Sequence, residues 1–196
     1  MTRGLPFAAL DGSTMTKRLA SILAAISATW LALSLITPTA MSSAAEDTDV
    51  KTIPVDAVTT LEMHVTANCI AGQANCLFNT SANLRTPEGV IGFPGDLWAR
   101  QTTTLRTMDR SVYLESDFDM PNTRLFKSLT DVELTTVYFG GGPPEKFQFH
   151  GNSWPVDWRT GQPRTDTGYI VCTHIQVVYS GVNLTSPDAC AQTTFS

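Results

Sequence analysis

The stretch T-G-Y-I-V-C-T-H-I-Q-V-V-Y-S-G, residues 167 to 181, constrains the fold more than any other part of the chain. Tyr169, Val171, Thr173, Ile175, Val177 and Tyr179 recur at every second position, so they share one face of an extended strand. Ile170, Val178 and Cys172 make the other face apolar as well, and a strand apolar on both faces belongs in the interior of a sheet. The same alternation returns in L-E-M-H-V-T (61–66), S-V-Y-L-E-S-D-F (111–118), D-V-E-L-T-T-V-Y-F (131–139) and E-K-F-Q-F-H (145–150). Residues 76–84 and 102–107, rich in Thr, suit a pleated surface more weakly.

Turn residues separate these runs: P-E-G-V at 87–90, G-F-P-G-D at 92–96, M-P-N at 120–122, G-G-G-P-P at 140–144 and R-T-G-Q-P at 159–163. D-L-W-A-R-Q (96–101) and T-R-L-F-K-S-L (123–129) read as one or two helical turns each, and the acidic lead 46–50 as a mobile segment. Many short strands with frequent turns imply an all-β fold, an antiparallel β-sandwich or barrel of about seven strands.

Ahead of this lies a helical signal segment, residues 1–45. Lys17 and Arg18 precede a stretch with no charge from Leu19 to Ala45, and the apolar run Leu19 to Ile36 leads to Pro38. Ser43 and Ala45 supply the small-x-small pattern that signal peptidase requires, which places the cut after Ala45. The leader resembles those of exported bacterial proteins, a resemblance confined to the targeting segment. The 18-residue run also reaches the lower limit for spanning a bilayer, so an uncleaved anchor is the alternative, and Met15 offers a second translation start. Cleavage predicts a protein that is secreted or held in the cell envelope, with no membrane association after processing.

Residues 46–196 then form a single β domain of ordinary size. They carry ten Lys and Arg against seventeen Asp and Glu, with no basic cluster. That balance argues against nucleic acid and anionic membrane, whose phosphates need grouped cations. A protein or glycan at the cell surface is the expected partner, and nothing in the sequence fixes the oligomeric state.

Cys69, Cys76, Cys172 and Cys190 all follow the leader, and an exported chain meets an oxidising compartment. Four cysteines allow three pairings. The nearest-neighbour choice, Cys69 with Cys76 and Cys172 with Cys190, closes loops worth about 2.5 and 3 kcal/mol in the chain-entropy model. Spacings of six and seventeen intervening residues differ from those of zinc sites, so no metal is expected.

Catalytic motifs are absent: there is no G-x-S-x-G, H-E-x-x-H, P-loop or G-x-G-x-x-G. No catalytic residue and no cofactor is assigned. His64, His150 and His174 are scattered, and Glu115, Asp117 and Asp119 on one strand face read as a solvated edge or as oxygen ligands for a hard cation. The most suggestive segment is H-G-N-S-W-P-V-D-W-R-T-G-Q-P (150–163), read as a long loop. Trp154 and Trp158 there offer apolar platforms, and Asp157 and Arg159 planar hydrogen-bonding groups, the elements of a ligand site; packing of both rings is the alternative. The expectation is a secreted, disulfide-stapled binding or surface-interaction module. A hydrolase with a site assembled from distant strands and a structural envelope protein are the other readings.

Overall fold

The computed structural model describes residues 45–196, so the signal segment and the start before Met15 lie outside the described residues. Twelve strands follow in order: β1 (Ala45–Pro54), β2 (Thr60–Ile70), β3 (Asn75–Thr86), β4 (Gly89–Ile91), β5 (Trp98–Thr107), β6 (Tyr113–Phe118), β7 (Thr123–Lys127), β8 (Asp131–Phe139), β9 (Gln148–Val156), β10 (Gly168–Tyr179), β11 (Val182–Thr185) and β12 (Ala189–Thr194). They form two antiparallel sheets, an all-β architecture consistent with a β-sandwich. The first sheet has the order β1-β2-β3-β9-β6, with β4 also on β3; the second has β11-β10-β5-β8-β7, with β12 also on β10.

Alternation decides which residues meet in the core. Leu61, Met63 and Val65 of β2, Phe78 and Leu84 of β3 and Phe149 of β9 face Leu105, Leu134, Val171, Ile175 and Val177 of the second sheet, all buried. Phe149 sits between Phe78 and Phe118 in edge-to-face pairs at 5.6 and 5.7 Å. Two buried polar contacts join the sheets through this layer. Gln101 of β5 donates to the Thr80 hydroxyl of β3 and accepts from the Tyr138 hydroxyl, and Ser153 of β9 donates to the Tyr169 hydroxyl of β10 at 2.7 Å. A buried polar group left alone is costly, so these partners fix the register of one sheet on the other.

Several sequence expectations are corrected. Among the described residues there are twelve strands where about seven were expected, because β1, β4, β7, β11 and β12 carry weak or charged patterns. Of residues 96–101, Asp96 and Leu97 close a turn and Trp98 to Gln101 begin β5, while 123–127 are a strand; pairing with β8 outweighs the helical preference of such short segments. The acidic lead is β1, paired with β2 from Ala45 to Pro54. Its inward carboxylates reach the open edge of β12: Asp49 accepts from the Cys190 amide at 2.9 Å and Asp47 from the Gln192 amide at 2.7 Å. Ala45 is tied there too, its amide donating to Ser196 and its carbonyl accepting from the Thr193 hydroxyl.

G-G-G-P-P has a definite task. Phe93 and Gly142 exchange backbone hydrogen bonds, and a Cβ on Gly141 would lie 2.1 Å from the Phe93 carbonyl oxygen, so only glycine admits the approach. The turned carbonyls of Phe139, Gly140 and Gly141 then accept from the Lys146 ammonium at 2.7–2.9 Å.

Candidate functional site

The outward positions of the first sheet are mostly polar, with Val50, Leu77 and Trp154 among them. The register aligns Asn68, Leu77, Asn152 and Asp117 in one row across β2, β3, β9 and β6, and Thr66, Asn79 and His150 in the next. Glu46 stands beside Asn68 on β1. All of these except Asp117 border a cleft of about 380 Å³. A smaller hollow of about 200 Å³ adjoins it, bordered by Asp117, Phe118 and Asp119 and sharing His150, Gly151 and Asn152 with the first.

Gly151 borders both hollows. It points inward, where a Cβ would lie 2.6 Å from the Asp117 carbonyl oxygen and 2.8 Å from the Phe78 ring. The aromatic ring fills the place a side chain would take, and the strand passes flat over it. The Oδ1 atoms of Asn68 and Asn152 are buried and have no hydrogen-bond partner in the protein. An amide oxygen withdrawn from solvent and left unpaired is a standing demand for a donor.

At the other end of this face the polar groups satisfy one another. Glu62 is 6 % exposed and accepts from Asn83 at 2.9 Å, from Arg85, and meets His64 at 3.3 Å. Burial alone would raise its pKa, but the Arg85 guanidinium and the Asn83 amide outweigh that and hold the carboxyl below its usual range. Glu62 is therefore a paired structural anion, in contrast to the open cleft.

Of the residues singled out from sequence, Trp154 lies in β9, which runs on to Val156, and not in a loop. It is half-buried on the same outward face as Asn152, opposite Glu115. Asp157 builds the turn that follows: its Oδ1 accepts from the Arg159 and Thr160 amides at 2.8 and 3.0 Å, and these bonds lower its pKa. Trp158 is 63 % exposed on that turn, with Arg159 exposed beside it. None of the four borders either hollow. The loop beyond is anchored at Asp109, which receives the Ser111 and Thr167 hydroxyls; the Ser111 hydroxyl bond above all holds its carboxyl down at about 2.

Disulfides join Cys69 to Cys76 across the β2–β3 hairpin and Cys172 to Cys190 across β10 and β12. Together they point toward an oxidising, extracellular environment. No helix among the described residues is long and apolar enough to cross a membrane. His174 pairs with Asp188 at 2.7 Å on the far face of the second sheet, away from both hollows. Glu115 is engaged by the Lys127 ammonium at 2.9 Å, and among the described residues no three His, Cys, Asp or Glu side chains converge as metal ligands.

Asn68 and Glu46 were not singled out from sequence, and Asn79 only as an N-x-S/T glycosylation acceptor, although a signal existed. Asparagine is depleted in strands, yet Asn68, Asn75, Asn79, Asn83 and Asn152 all occupy strands of this one sheet. No protein-family model matches the chain, and no curated protein matches it.

Proposed function

We propose that this protein is an exported binding module that holds a hydroxyl-rich, uncharged glycan on the outer face of its first sheet. The observation that carries this reading is the row of Asn68, Leu77 and Asn152, with Asn79 and His150 in the next row, bordering one cleft. Sugar hydroxyls both donate and accept, which suits the side-chain amides of Asn68, Asn79 and Asn152 together with His150 and Thr66. Leu77, 40 % exposed between the two asparagines, supplies apolar surface for the C–H face of a sugar ring. Trp154, two residues along β9 on the same face, extends that platform. Glu46, Asp117 and Asp119 around the hollows, with no Lys or Arg bordering them, disfavour anionic ligands.

The two disulfides and the leader support an extracellular setting, where such ligands are displayed. The turn bearing Asp157, Trp158 and Arg159 serves in this reading as a flanking contact for a longer glycan or a protein partner, with Asp157 shaping the turn.

The test is a glycan array followed by calorimetry on wild type and three variants. Asn152→Ala and Trp154→Ala are expected to weaken a neutral glycan hit at least tenfold, and Trp158→Ala by less than threefold. A hit unaffected by Asn152→Ala, or selectivity for sulfated glycans, would refute the assignment.

A further inference from the structure

A third hollow, of about 520 Å³, lies where the β1–β2, β4–β5 and β10–β11 connections meet. Its walls are Val55, Ile91, Phe93, Pro94, Tyr179 and Val182. Val55, Tyr179 and Val182 rest on the core, so the floor is firm and apolar. Ile91, at the end of β4, is 45 % exposed at the rim, and Val58 of the β1–β2 connection and Val90 of β4 stand out into solvent. Apolar surface gathered around a concave site marks a place of contact.

The charge at this place has one sign. Asp56 borders the hollow, and Asp96 is fastened beside it by the Ser180 amide and hydroxyl. No Lys or Arg borders it. Asp56 is held in its turn by the Val58 and Thr59 amides, both at 2.8 Å, so the carboxylate is fixed in place without a cation. Tyr179 reports the closeness of both acids: burial raises its pKa, and the negative charges of Asp56 and Asp96 raise it further. An aromatic ring flanked by carboxylates attracts an ammonium through its π face as well as through charge.

We infer that this hollow binds a small organic cation, an ammonium group carrying an alkyl or aryl body, with the body between Phe93, Ile91 and Tyr179 and the charge toward Asp56 and Asp96. The site is separate from the asparagine cleft and does not depend on the glycan reading.

The experiment compares three probes of one shape, 4-phenylbutylammonium, 4-phenylbutanol and 4-phenylbutyrate, by NMR titration of the processed protein. Perturbations are expected at Ile91, Tyr179 and Val182, with the ammonium binding about three- to tenfold tighter than the alcohol and the carboxylate weakest. Asp56→Asn keeps the side-chain oxygen that holds the turn and removes the charge; it should weaken the ammonium roughly threefold and leave the alcohol unchanged. Ile91→Asn, at an exposed rim position, should weaken both. Equal binding of the ammonium and the alcohol, preference for the carboxylate, absence of binding by all three at millimolar concentration, or perturbations confined to other surfaces would each overturn the inference.

Discussion

Asp49 provides the sharpest test of how the two sheets are held at their common edge. β12 pairs with β10 on one side only, so the Cys190 and Gln192 amides would face the open side unsatisfied without Asp49 and Asp47. Asp49→Ala removes a charge-assisted hydrogen bond of 2.9 Å to Cys190, together with contacts to the Val50 amide and the Lys51 ammonium. Hydrogen bonds to charged groups contribute about 1.5–3 kcal/mol, and the side chain is 25 % exposed, so a loss of about 1–2 kcal/mol is expected. For a domain of this size that lowers Tm by about 2–8 °C. Partial burial works to raise the Asp49 pKa, but the Cys190 amide and Lys51 prevail and lower it. A depressed carboxyl stabilises the fold above its unfolded value of 3.8, and the benefit disappears as pH falls through the folded value. Thermal unfolding of wild type and variant should therefore differ at pH 7 and converge well below pH 3.8, while hydrogen exchange shows the Cys190 amide losing protection. Equal midpoints at pH 7, or a gap that persists in acid, would refute this account of β1.

Three further outcomes follow from the same geometry. Gly151→Ala forces a methyl to within 2.8 Å of the Phe78 ring and should cost about 1–3 kcal/mol, read as a fall in Tm by differential scanning fluorimetry. Trp158→Ala should leave Tm within about 2 °C, because the ring is 63 % exposed, whereas Trp154→Ala, half-buried on the sheet, should lower it by more. Intact-mass analysis of the exported protein should give a chain beginning at Glu46 with no free thiol; a full-length chain recovered only in membranes would contradict it.

How much of this was legible in the sequence depended on whether a segment announces its own surroundings. β10 and β8 could be read because one face meets the core and their patterns say so. The nearest-neighbour choice among the three cysteine pairings is the one the strands make, since each bridge joins residues directly opposite in paired strands. β1 could not be read: its inward residues are carboxylates whose partners are backbone amides some 140 positions away, at Cys190 and Gln192. The segment 123–127 was equally ambiguous, because edge pairing with β8 supplies what its own composition lacks. The cleft is a matter of register. Asn68 and Asn152 are unremarkable until Leu77 aligns them across three strands, and the tryptophans drew attention through size although neither borders the cleft.

The central claim is that the asparagine cleft of the first sheet receives a neutral glycan, and the most direct measurement is a ¹⁵N NMR titration that follows backbone and side-chain amides together. Neutral oligosaccharides should move the side-chain signals of Asn68, Asn79 and Asn152 and the backbone signals of Thr66, Leu77 and His150, and Asn152→Ala should abolish the response. Saturating shifts confined to the turn at 157–162 or to the second sheet, or no shift at millimolar sugar, would contradict it.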